Sequence, residues 1–266
     1  MPKLSVGRMR IVTLLVGIVT ITLVTGCPPA RTRGPVPANQ WEALGRVNTN
    51  LEKIDQPVQY KGIVRFKWVD PDGKRRDTLL RSASLLYALP QYFLLDVRTD
   101  VGVAAQGGSN LERYWAWVEL DVNTLWWGLW ENVGPSAARR IPFPPNELLD
   151  ALLLRPLPAT LAGGLEPLLR VNGDDHRLLF VRLDASGQTA GWREIRLDAF
   201  EPQLPREIVD RLPDGRVQMH AYLDNYRPIE DSQTYVPRNY TVFWPIDEAE
   251  FRMDVTSARW RPDLPE

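Results

Sequence analysis

YKGIVRFKWVD, residues 60–70, alternates apolar and charged side chains through its second half. Successive side chains of an extended chain point to opposite sides, so Val64, Phe66 and Trp68 share one face while Arg65 and Lys67 share the other. The stretch reads as a strand with one face in a core. Asp70-Pro71-Asp72-Gly73 follows as a hairpin-type turn, and a second strand run begins at Leu79 and reaches Leu89.

The pattern continues outward. QYFLLDVRT (91–99) groups Phe93, Leu95 and Val97, and ERYWAWVEL (112–120) groups Trp115 and Trp117. Leu125-Trp126-Trp127-Gly128-Leu129-Trp130 is apolar on both faces. Later runs are HRLLFVRL (176–183), GWREIRL (191–197), GRVQMHAYLD (215–224), NYTVFW (239–244) and EAEFRMDVTSARW (248–260). Turn signals at Asn172-Gly173, Ser186-Gly187 and Pro213-Asp214-Gly215 separate them. Short strands punctuated in this way predict an antiparallel sheet, curled or closed.

Two helices interrupt the series. Trp41, Leu44, Val47, Leu51 and Ile54 recur at three- and four-residue spacing, with Asn39 and Glu42 as a cap and its box-like partner and Pro57 as the stop. IPFPPNELLDALLLRPLP (141–158) places Leu148, Leu149, Leu152 and Leu153 at helical spacing between prolines. A helix over 145–154 is thus predicted as a lid, because its leucines need a partner that a lone helix lacks. The expected architecture is an incomplete, half-open antiparallel β-barrel of the α+β class, with both helices over its concave apolar face. Alternation puts Phe66, Leu95, Val97, Trp115, Trp117, Trp127, Val217 and Met219 forward as the lining, although sequence does not say which face of a strand is concave.

The first 26 residues have a separate layout. Lys3, Arg8 and Arg10 precede an uncharged stretch from Ile11 to Gly26, shorter than the roughly 20 apolar residues a spanning helix needs. A basic start, a short apolar middle and small residues at the end are the plan of an export signal. Val24-Thr25-Gly26-Cys27 resembles the bacterial lipobox, in which cleavage leaves a lipidated cysteine at the new N-terminus. An uncleaved anchor helix, or a chance cysteine after an ordinary signal, are the other readings. Cys27 is the only cysteine in the chain, so it has no internal disulfide partner, and lipidation accounts for it without a free thiol. Pro28 after it implies, by the sorting logic of Gram-negative bacteria, the outer membrane. Residues 28–37, PPARTRGPVP, have the composition of an extended tether, at about 3.1 Å per residue in polyproline form, or of a tail with no spacing role. One domain over 38–266 remains.

Composition excludes several classes. The formal charge is −1, and losing residues 1–26 removes three cations and no acid, leaving −4. A nucleic-acid partner needs a clustered basic footprint, which is absent. The two histidines, His176 and His220, form no metal-ligand spacing; His176 follows a turn and is expected to be exposed. No Gly-x-Ser-x-Gly elbow and no phosphate-cradling glycine loop occur. Carboxylate pairs such as Asp174-Asp175 and Glu248-Glu250 leave a hydrolase open, but the reading is of a protein without catalytic residues, metal or cofactor.

The order of elements resembles the LolA/LolB lipoprotein-carrier family, nearest to its LolB branch, across residues 38–227. The resemblance rests on the Trp41 helix, FLLDVRTDVG (93–102), the proline-bounded helix and PREIVDRLPDGRVQMHAYLDNY (205–226). It implies a membrane-anchored lipoprotein whose cavity takes the acyl chains of lipoproteins or lipids, handed over by a periplasmic carrier. A structural or assembly lipoprotein holding a protein partner in the same fold is the alternative. The family's protruding Asn-Pro-Leu-Gly turn falls on Thr99-Asp100-Val101-Gly102, which makes Val101, Gly102 and Val103, with Ala104, a loop expected to touch the membrane or an incoming chain. YVPRNYTVFWPIDEAEFRMDVTSARW (235–260) adds strands beyond the LolB pattern.

Overall fold

The computed structural model of the chain describes residues 31–70, 72–119, 123–132, 145–160, 165–184, 186–230 and 232–262. Cys27 and the predicted signal lie outside them. Residues 34–266 form one compact unit.

Helix α1 (Gln40–Glu52) starts at Asn39, whose side chain accepts from the Glu42 N–H at 2.9 Å. Glu42 in turn accepts from the Ala38 N–H at 2.7 Å, so the predicted cap satisfies donors at the helix start. Ala43, Leu44, Val47 and Leu51 are buried, whereas Trp41 is 40% exposed. Strands β1 (Val58–Val69), β2 (Arg75–Ala88), β3 (Tyr92–Thr99), β4 (Gly102–Ser109), β5 (Arg113–Val118) and β6 (Thr124–Leu129) run as successive hairpins. After the short helix α2 (Pro145–Ala151) come β7 (Leu168–Asn172), β8 (Asp175–Leu183), β9 (Thr189–Leu197), β10 (Pro205–Arg211) and β11 (Val217–Asp224). A two-residue pair, β12 (Arg227–Pro228) and β13 (Tyr235–Val236), precedes β14 (Asn239–Trp244) and β15 (Ala249–Trp260).

Thirteen of these strands form one sheet in the order β6-β5-β4-β3-β2-β1-β15-β14-β11-β10-β9-β8-β7. The C-terminal strands expected as an extension are its centre. β15 pairs antiparallel with β1, joining the first six strands to the rest. At this seam Gly62 is required, because a Cβ would sit 2.2 Å from the Asp254 carbonyl oxygen. Among the described residues β6 and β7 remain unpaired to each other, so the sheet is an unclosed antiparallel barrel with few helices, as the sequence predicts.

One face carries the core. Val64, Phe66 and Trp68 of β1 are buried and continue across the register to Phe251 and Met253 of β15, and then to Val242 and Tyr240 of β14. In the other direction they lead through Leu80 and Leu85 to Leu95 and Val97.

Candidate functional site

The concave face and its cover make the site. Phe66, Leu95, Val97 and Met219 all lie on the buried face, as the alternation predicts. Trp115, Trp117 and Trp127 do not. Leu95 pairs with Gly107 and Gly107 with Ala116, so Ala116 faces inward and its neighbours Trp115 and Trp117 face out. Trp127 pairs with Trp115 and is 67% exposed, with Leu125 beside it at 58%. Alternation pairs side chains but carries no sign, and these hairpins have the opposite face inward from the one assumed.

Val217 departs for a different reason. The register of β10 and β11 slips, so that Asp210 opposes Met219 but Arg211 opposes Val217. One extra residue, Gln218, is thereby turned toward α2, and Val217 drops out of the inward row.

Helix α2 crosses the concave face, meeting β11 on one side and β4 and β5 on the other. The helix ends earlier than the predicted Leu154. Leu153 adopts a left-handed conformation (φ +53°), the Leu154 N–H donates to the Leu149 carbonyl at 2.9 Å and the Leu153 N–H to Asp150 at 3.1 Å, which is a Schellman-type end. Leu148, Leu149, Leu152 and Leu153 are all buried, the last two in that terminating turn.

The helix is also pinned by charge, which the leucine pattern hid. Glu147 accepts from Gln218 Nε2 at 2.8 Å and from Trp244 Nε1 at 2.7 Å. Burial pushes its carboxyl above the usual range; those two hydrogen bonds oppose the shift, and the charges of Asp210 and Asp247 add to it. Asp150 accepts from Arg193 Nη2 at 2.9 Å and from Arg155 Nε at 2.9 Å. Burial alone would raise the Asp150 carboxyl, but the two guanidiniums outweigh it and hold it below the usual value. Arg193 also grips Asp210, its cross-strand neighbour, through two 2.7 Å contacts. A lone Asp150 among six leucines was the available sequence signal for this anchor.

His176 is buried, not exposed, at 1%: it lies on the inward row of β8 opposite Leu197, with Nε2 3.2 Å from the Gly173 carbonyl. His220 sits on the outer face, 2.7 Å from Glu207. Among the described residues no group of three or more His, Cys, Asp or Glu is placed to hold a metal ion. No helix among them is long and apolar enough to cross a membrane.

The predicted loop is a tight hairpin tip. Val101 is 97% exposed, Gly102 already begins β4, and Val103 is half-buried opposite Arg98. Ala104 is buried, because a register slip between Val97 and Arg98 turns it inward. The tether is shorter than its composition suggests. The Gly34 N–H donates to the Ala199 carbonyl at 3.0 Å, and the Pro35 carbonyl accepts from Arg46 at 2.8 Å and from Gln203 at 2.9 Å, so the body begins at Gly34.

A long unclosed antiparallel sheet with a short helix across its concave face defines a LolA-like fold. No family model and no curated protein matches the sequence. Solved structures do match in fold, two of them over most of their length. One is a DUF1329 family protein from Desulfovibrio piger, 12% identical, covering 87% of this chain and 96% of its own at a TM-score of 0.54. The other is a LolA superfamily protein from Nitrosomonas europaea, also 12% identical, covering 86% and 96% at 0.51. The resemblance read from the sequence therefore holds at the level of a LolA-like fold.

Proposed function

We propose that this chain is an exported, non-catalytic envelope lipoprotein, anchored in the outer membrane through Cys27. Its concave face holds acyl chains and accepts or inserts lipoproteins or lipids, in the manner of the LolB branch. The observation that carries the reading is the cover. A helix of seven residues and the turn that ends it bury Leu148, Leu149, Leu152 and Leu153 against the apolar face, and an acyl chain taking their place would meet the same apolar surface. Each methylene moved there from water contributes about 0.8 kcal/mol, a gain that tolerates many chain shapes. So short a helix has little stability of its own and can be displaced. A periplasmic carrier supplying the cargo fits this role, and no nucleic acid does.

A second reading, an assembly lipoprotein that holds a protein partner, is favoured by the exposed Leu125 and Trp127. Titration of the delipidated full chain with a fluorescent fatty acid separates the two. Saturable binding supports the carrier; its absence favours the partner-binding reading. Cys27→Ser is expected to give an unprocessed or soluble form, and membrane-bound protein of mature mass without acyl groups overturns the anchor.

A further inference from the structure

A cleft of about 360 Å³ opens beside the C-terminal end of α2, against strands β8 and β9. Its charged lining is Asp150, Arg155, Arg182 and Arg193, and its apolar wall includes the buried Phe180 and Leu157. Arg193 is satisfied by Asp210 and Asp150, and Arg155 by Asp150 and the Asn146 carbonyl at 3.0 Å. Two carboxylates thus meet three guanidiniums. The unmatched one is Arg182. Among the described residues its Nη2 reaches only the Arg211 carbonyl oxygen, at 3.4 Å, and its Nε is buried without a hydrogen-bond partner. A guanidinium has five N–H donors, and a buried donor left unpaired is costly, so this group is built for an acceptor. Gly191, directly opposite Arg182, lets the Arg211 backbone come close. Its φ of +135° suits glycine, and a Cβ there would meet the Arg211 carbonyl oxygen at 2.2 Å and Arg182 Nη2 at 3.1 Å.

We propose that this cleft binds the anionic head of an amphiphile, a phosphate or a carboxylate, with Arg182 as the principal donor and the wall at Phe180 and Leu157 against the first carbons of the chain. A guanidinium fork matches the paired oxygens of either anion. The cleft suits a head group, and α2 borders both it and the concave face, toward which the chain would run. This placement rests on the acyl-carrier reading; the anion site itself rests on Arg182.

Calorimetry on the full chain with decyl phosphate, decanol and inorganic phosphate, below micelle formation, tests it. Wild-type protein is expected to bind decyl phosphate about tenfold tighter than decanol, and Arg182→Gln to abolish the difference. Arg182→Lys, which keeps the charge but loses the fork, should retain part of the preference. Equal binding of the two amphiphiles by the wild type, or a preference that survives Arg182→Gln, overturns the site and leaves the carrier reading intact. Binding of inorganic phosphate alone, lost in Arg182→Gln, supports the anion site, assigns it to a free anion and overturns the carrier reading. Binding of none of the three overturns both.

Discussion

Helices α1 and α2 both lay an apolar stripe on the sheet, yet they are held by opposite chemistry. α1 has thirteen residues, an N-terminal cap at Asn39, Arg46 reaching the Pro35 carbonyl, and neutral clamps in its C-terminal half. Asn48 exchanges two hydrogen bonds with the Leu157 backbone, at 2.8 and 2.9 Å, and Asn50 does the same with Tyr235 at the same distances. α2 has seven residues and relies on carboxylates, Glu147 and Asp150, sunk against the sheet. Isolated helices below about 12–15 residues are marginal in water, so α2 exists only through what it touches. The contrast separates a fixed wall from a cover whose grip depends on charge.

The largest effect should come from breaking that charge. Arg193→Ala leaves Asp210, with a side chain only 3% exposed, without its cation and facing Asp150, which keeps Arg155 alone. Loss of one partner from a buried pair costs about 3–5 kcal/mol. Urea unfolding should register it, and hydrogen exchange should rise in α2 before α1. Equal exchange in the two helices would erase the contrast between them.

The neutral clamp comes next. Asn48→Ala strands the N–H and carbonyl of Leu157, which should cost about 2 kcal/mol by the same measurement. Because no group there titrates, the loss should be the same at pH 5 and pH 8.

Glu147 should sharpen the difference through pH. Its folded-state value lies above the ordinary 4.5, so its contribution is complete below about pH 4.5 and is lost as pH rises through the folded value. Asp150 has the opposite sign: its contribution is present above the ordinary 3.8 and fades as pH falls through the lower folded value. Glu147→Gln is therefore expected to gain stability relative to the wild type as pH is raised from 4 to 7, and unfolding curves at several pH values check it. A constant gap would show that folding does not raise the Glu147 carboxyl.

The smallest effect is predicted for the outward tryptophan. Trp127→Ala should change stability by less than about 0.5 kcal/mol, since the side chain is mostly in water. A loss of several kcal/mol would place it in a core after all.

Much of this was legible beforehand for a physical reason. Strand alternation, the Asn39 cap and the leucine spacing of α2 are local patterns, set by backbone geometry within a few residues. They establish the strands, both helices and the half-open antiparallel class. Three matters are not local. The sign of a strand's face is decided by its neighbours, and for Trp115 and Trp117 the inward partner of Gly107 is Ala116. Register slips, which turn Val217 away and bring Gln218 and Ala104 inward, appear only where two strands of different residue count meet.

Long-range pairing is the third. By itself the sequence determined that this chain is a curled sheet with an amphipathic helix and a leucine-rich cover. Only the tertiary structure decided that β15 lies against β1 at the centre of the sheet, and that Asp150, Arg193 and Asp210 meet beneath the cover. Those residues are 17 to 60 positions apart, and ionic contacts between distant segments leave no periodic trace in a sequence. The same is true of Arg182, one arginine among many until the fold surrounds it with Phe180, Leu157 and the bare backbone of Gly191.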